Sequence, residues 1–255
     1  MNGIDDSQRT AARIAGCSGL ATFAIVIIGN YILLNPLIVA GNAVATAQNI
    51  AAHQTQVRIA AVCFLTYSLG VLVLLSALYI IFRRINHGLA LIGALFRLVF
   101  ALLWLLAPLN LLAAIRLLSN AKYLQVFEPD RLDALVRLHL GANFDAYYVG
   151  LPFFGLAATI GAWLWLKSGY IPTPLAIFGV IASAWCVVCA FIFLIFPTFN
   201  KTVNDYLFDS PMALFELAVS FWLLFKGLAP PNKAGTVIHD PSSTGSASTR
   251  LPLFL

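Results

Sequence analysis

A chain of 255 residues that is 61% hydrophobic and only 10% charged has too little polar surface for a soluble domain, where about a quarter of residues are charged. Its mean hydropathy is +0.90, and its apolar residues fall in continuous runs near the length of a membrane span. That excludes a barrel of short alternating segments and predicts an all-α integral membrane protein. The net charge of +5 does not indicate nucleic acid, because the basic residues sit scattered at the edges of the apolar runs. Topology and anionic headgroups put them there, and the expected partner is the lipid bilayer.

Residues 1–13 are polar, with Asp5, Asp6, Arg9 and Arg13, and read as a cytoplasmic N-terminal segment. The run 14–34 holds Gly16-x-x-Gly19 and a lone Asn30. Ala43-Val44-Ala45 resembles a signal cleavage site, but signal h-regions span only about 7 to 15 residues. The longer run here is therefore read as a retained first span, stopped at Asn35-Pro36. Val44, Ala47, Ile50 and Ala51 then recur at helical spacing, which predicts a short amphipathic helix lying at the interface. The second span is 59–82. Arg83-Arg84-Ile85-Asn86-His87 makes a tight basic turn into the third span, 88–118.

Pro129-Asp130 marks a helix start, with Asp130 and Asp133 in the first turn and Leu132, Leu135, Val136 and Leu138 on one face. This second amphipathic helix leads straight into the fourth span, 138–166. Lys167 to Pro172 is another tight turn. The fifth span, 174–196, stops at Pro197, and a polar loop with Lys201, Asp205 and Asp209 leads through Ser210-Pro211 to the sixth, 212–225. The fold class expected is thus a six-helix transmembrane bundle over 14–226, with short interfacial helices in two long extracytoplasmic loops. The stretch 227–255, rich in Pro, Ser, Thr and Gly, reads as a disordered cytoplasmic tail.

Six spans put both termini on one side, together with Arg9, Arg13, Arg83, Arg84, Lys167, Lys226, Lys233 and Arg250. The other side holds Arg58, Arg116, Lys122, Arg131, Arg137 and Lys201. Eight against six predicts cytoplasmic termini. Cys17, Cys63, Cys186 and Cys189 all fall in apolar runs, not in loops, which argues against a disulfide framework, and Cys186 and Cys189, neighbours on one helix face, read as small hydrophobes. A nucleophile elbow, a phosphate-cradling loop and an intramembrane lysine for a Schiff base are all missing from the sequence. No cofactor and no catalytic residue is expected.

The chemistry sits in the third span, which carries Arg97 in its interior. A charge there costs about 2.5–3.5 kcal/mol on insertion scales, so a partner is required. With a rise of about 1.5 Å per residue, Arg97 lies about 13 Å from the cytoplasmic face. Asp145 lies about 10 Å below the outer face and Glu216 about 7 Å. Those depths make Asp145 the expected partner of Arg97, with Glu216 a second carboxylate. One expectation is a pocket between the third, fourth and sixth spans that binds, transports or senses a small polar or anionic ligand. Arg97, Asp145 and Glu216 would hold it, with Asn110, Asn143, Tyr147 and Tyr148 lining the walls. A second is a structural or interaction protein whose buried charges only fix packing. A third is an intramembrane enzyme using His139, Asp145 and Glu216; His139, with Asn143 four residues on, is also the weak candidate for a metal ligand.

Several short motifs resemble a known family: Arg13-Ile14-Ala15-Gly16, Leu95-Phe96-Arg97-Leu98, Gly150-Leu151-Pro152-Phe153-Phe154-Gly155-Leu156, Ser168-Gly169-Tyr170-Ile171-Pro172, and Phe215-Glu216-Leu217 through Trp222-Leu223-Leu224. In this order and spacing they resemble the bacterial six-helix membrane proteins of domain-of-unknown-function family 4386, over about 9–226. The resemblance implies the fold and a bacterial inner-membrane location. It implies no activity, substrate or catalytic residue.

Overall fold

The structure, a computed structural model, describes residues 4–119, 121–204 and 206–229. Among these residues every regular element is helical. Helix α1, Asp6–Ile27, starts at a capping box in which the Asp5 side chain accepts from the Gln8 amide and Gln8 reaches back to the Asp5 amide. It continues without a stop into a π-helical segment, Ile28–Leu34, and a 3-10 turn, Asn35–Leu37, where Pro36 ends it. Helix α2, Ala43–Ala52, is capped by the Asn42 side chain and turns its buried stripe, Thr46, Ala47 and Ile50, toward the bundle. Helix α3 is Gln54–Phe82, α4 is His87–Trp104 and α5 is Leu106–Leu117. Helix α6, Pro129–Ser168, ends at Gly169, whose φ of +67° closes the helix in the left-handed region. Helices α7, Thr173–Ile195, and α8, Tyr206–Phe225, complete the chain.

Six segments are long and apolar enough to cross a membrane: Asp6–Leu37, Gln54–Phe82, His87–Leu117, Pro129–Ser168, Thr173–Ile195 and Tyr206–Phe225. The protein is a multi-pass integral membrane protein. The third of these is not one rod. It breaks at Leu105, because Pro108 has no N–H to give the Trp104 carbonyl four residues earlier. The expected amphipathic segment before the fourth span is not a separate helix but the first part of α6. At 40 residues α6 is about 60 Å long, twice the hydrocarbon core, so part of it projects beyond the hydrocarbon layer. The sixth begins at Tyr206, earlier than 212, because the Asn204 side chain accepts from the Tyr206 amide at 3.0 Å and caps it there. Asp205 and the tail from 230 on, with Lys233, Arg250 and the expected disorder, lie outside the described residues.

The six spans close a ring: α1 packs on α3, α3 on α4, α4 on α6, α6 on α7, α7 on α8, and α8 back on α1. Small residues let the ring close tightly. At Gly16 an added Cβ would stand 2.7 Å from the Leu224 amide nitrogen of α8, a contact with backbone that no side chain can relieve. The first and last described segments meet at one end of the ring. Arg84 pairs with Asp5 there, and Gln8 donates to the Ile81 carbonyl at 3.2 Å and to the Tyr170 hydroxyl at 3.4 Å. Ala229 donates to the Tyr170 carbonyl at 2.9 Å. The core beneath this end is small and aliphatic around Trp165, with Ala15, Ile81, Ala162 and Leu223. A second core at the opposite end joins Leu37, Ile50, Leu111 and Leu140.

Candidate functional site

Arg97 is buried, and its guanidinium donates to both carboxylate oxygens of Glu216 on α8. The same guanidinium lies 5.1 Å from the ring centroid of Phe154 on α6, which stacks in turn on Phe100 of α4. One cation thus joins α4, α6 and α8. This is the bidentate pairing that a planar guanidinium makes best, and it answers the desolvation of the charge within the apolar span.

The expected first partner, Asp145, is not there. Asp145 is exposed on α6 and makes no ion pair among the described residues. The physical reason is azimuth. Asn143, Tyr147 and Gly150 face the interior, whereas Asp145 and Val149, four residues apart, point outward on the helix. Depth alone had favoured Asp145. The early start of α8 also moves Glu216 inward: it stands ten residues past Tyr206, as Arg97 stands ten past His87. Each is then about 15 Å from its own end of the span, so the two meet at mid-depth.

Above the ion pair, inside the ring, lies a cavity of about 890 Å³. Its walls come from α1, α3, α4, α5, α6 and α8; α7 contributes none. Glu216 and Ser220 form its floor, and on the other side of them is a smaller void of about 60 Å³ that Arg97 also lines. The pair therefore stands as a partition between two spaces. The walls of the large cavity are rich in aromatic residues, and Trp104 makes ring contacts with Tyr67, Phe100 and Tyr147. The irregular backbone gathers around it: the π-helical turn with Asn30 and Tyr31, the break at Leu105, and Pro211 in α8. Backbone of that kind is tolerated at membrane depth where it lines a cavity or is buried in protein.

The remaining expected residues divide. Asn143, Tyr147 and Tyr148 line the cavity. Tyr147 donates its hydroxyl to Asp209 on α8, and Tyr148 packs its ring on Phe193 at 4.4 Å. Asn110 does not line it. It donates to the Asn143 side-chain oxygen Oδ1 at 3.1 Å and holds His139, whose Nδ1 is 3.3 Å from the Asn110 side-chain oxygen. An amide oxygen only accepts, so Nδ1 carries the proton. This engages His139 in a side-chain chain between α5 and α6, and among the described residues no group of three His, Cys, Asp or Glu comes together to hold a metal. Cys186 and Cys189 are free thiols buried in α7, packed as small hydrophobes.

Two residues of the site escaped sequence reasoning. Asp209 reads as a loop charge, yet it lines the cavity on α8 seven residues before Glu216. That spacing, two turns along one helical face, was the available signal. Trp104 reads as one aromatic among many. In the structure it sits at the helix break with its indole N–H buried and without a hydrogen-bond partner, as is the Asn143 side-chain amide nitrogen. Both line the cavity.

A ring of six spans around a partly polar cavity defines a multi-pass helical membrane protein. The family described as domain of unknown function (DUF4386) matches residues 14–227, most of the chain, and the protein belongs to that family. No curated protein and no solved structure matches it.

Proposed function

We propose that this protein binds a small ligand within the membrane, in the cavity above the Arg97–Glu216 pair, and acts in its transport or sensing. The observation that carries this is the cavity itself, about 890 Å³ inside the ring and within the range of small-molecule sites. A bundle built only for packing fills its interior to crystal-like density. The position of Arg97 speaks for a polar ligand over an anionic one, because its guanidinium is already engaged by Glu216. The basic turn Arg83-Arg84 and Lys167 at the end where the first and last described segments meet support cytoplasmic termini, and the family motifs support a bacterial inner membrane.

Native mass spectrometry of the detergent-purified protein tests the binding. A retained small molecule is expected on the wild type and lost from Ala213→Phe, which fills the cavity from α8. A bare wild type under all mild conditions removes the proposal. The closed ion pair supports a second reading, in which the charges only fix helix packing, and the variants discussed below separate the two.

A further inference from the structure

From the lining of that cavity we infer the class of its ligand: an organic cation with an apolar body, such as a quaternary ammonium or phosphonium. The inference rests on the reading of the cavity as a ligand site. Among the described residues, Asp209 and Glu216 are the carboxylic acids on its wall, and neither Lys nor Arg lines it. Arg97 neutralises Glu216 from the far side. Asp209 accepts from the Tyr147 hydroxyl and from backbone amides in the first turn of α8, and no Lys or Arg pairs with it among the described residues. Among the described residues the wall therefore carries one carboxylate with no cation beside it, set among the rings of Tyr67, Trp104 and Tyr147. Aromatic faces attract a soft cation and repel an anion, and they also bury hydrocarbon. A hydrated metal ion gains nothing from them, and an anion meets Asp209. The buried, unpartnered donors on Trp104 and Asn143 add a place for a hydrogen-bond acceptor on the same molecule.

Two probes of nearly the same shape and opposite charge decide it: tetraphenylphosphonium and tetraphenylborate. Equilibrium dialysis of the full-length protein in detergent, corrected against empty micelles, is expected to give saturable phosphonium binding about tenfold or more tighter than borate. Asp209→Asn is expected to lower phosphonium affinity by about tenfold and to leave borate unchanged or improved. Phosphonium is expected to quench tryptophan fluorescence in the wild type, and Trp104→Phe, in a site that stays folded, is expected to lose that quenching. Equal binding of the two probes, or preference for borate, overturns the cation assignment and leaves the cavity as a ligand site. Binding of neither overturns both.

Discussion

Pro211 has no amide hydrogen for the Leu207 carbonyl one turn before it, and Trp185 of α7 supplies the missing donor, its indole nitrogen 2.9 Å from that oxygen. Trp185→Phe is expected to destabilise the detergent-solubilised protein by about 1–2 kcal/mol, read as a lower melting temperature. Pro211→Ala, which restores the intrahelical donor, is expected to remove most of that loss in the double variant. Additive losses would show that Trp185 acts through packing alone.

The Arg97–Glu216 pair yields a sharper cycle. Arg97→Ala and Glu216→Ala each leave an uncompensated charge at mid-depth and are expected to cost about 3–5 kcal/mol. Arg97→Met with Glu216→Leu is expected to recover most of this, as replaced buried pairs do. Asp145→Ala, at an exposed position, is expected to stay within about 0.5 kcal/mol and to rescue nothing when combined with Arg97→Ala. Thermal unfolding followed by circular dichroism measures all five. If the double variant folds and still loses the retained small molecule, the pair serves the ligand as well as the fold.

Two glycines on helices predict opposite outcomes. At Gly16 a Cβ would press on the backbone of α8, at 2.7 Å and 2.9 Å from Leu224 and Ser220, so Gly16→Ala is expected to destabilise by about 1–3 kcal/mol. At Gly141, within α6, nothing stands within 4 Å of an added Cβ. Gly141→Ala is expected to be neutral or to stabilise by up to about 1 kcal/mol through helix propensity. Equal effects at the two sites would mean that α1 and α8 do not approach as closely as the structure has them.

Sidedness is checked by labelling. In a background with the four cysteines changed to Ala, Arg131→Cys and Lys167→Cys place thiols at exposed positions on opposite ends of α6. A membrane-impermeant maleimide applied to intact cells is expected to modify Arg131→Cys and to reach Lys167→Cys only after lysis. The reverse pattern places the termini outside.

The spans were legible because an apolar run near 20 residues has few alternatives, and the turns at 83–87 and 167–172 carry polar residues that can go nowhere else. Arg97 was legible as the centre of the site because charge at that depth demands a partner. Its partner was not, since choosing between Asp145 and Glu216 depends on which way each helix is rotated, and hydropathy says little of rotation in spans that are apolar on every side. The start of α8 was hidden for a different reason: Pro211 and the polar residues before it read as loop, and only the Asn204 cap and the Trp185 bond explain why the helix begins earlier. The cavity follows from ring closure between α1 and α8, the first and last spans, a contact that local patterns do not encode.

At mid-depth the closed pair of Arg97 and Glu216 has no net charge, so a transmembrane voltage exerts no net force on it, whichever way the protein is oriented. The same is not true of a charged occupant. From Asp209 to Glu216 is seven residues along α8, about 10 Å or a third of the hydrocarbon thickness. A monovalent ion moving between those two carboxylates would exchange about 0.8 kcal/mol with the field per 100 mV, a third of the full crossing. The resting potential of the cell would then set where in the cavity such an ion dwells, while the partition beneath it stays electrically silent.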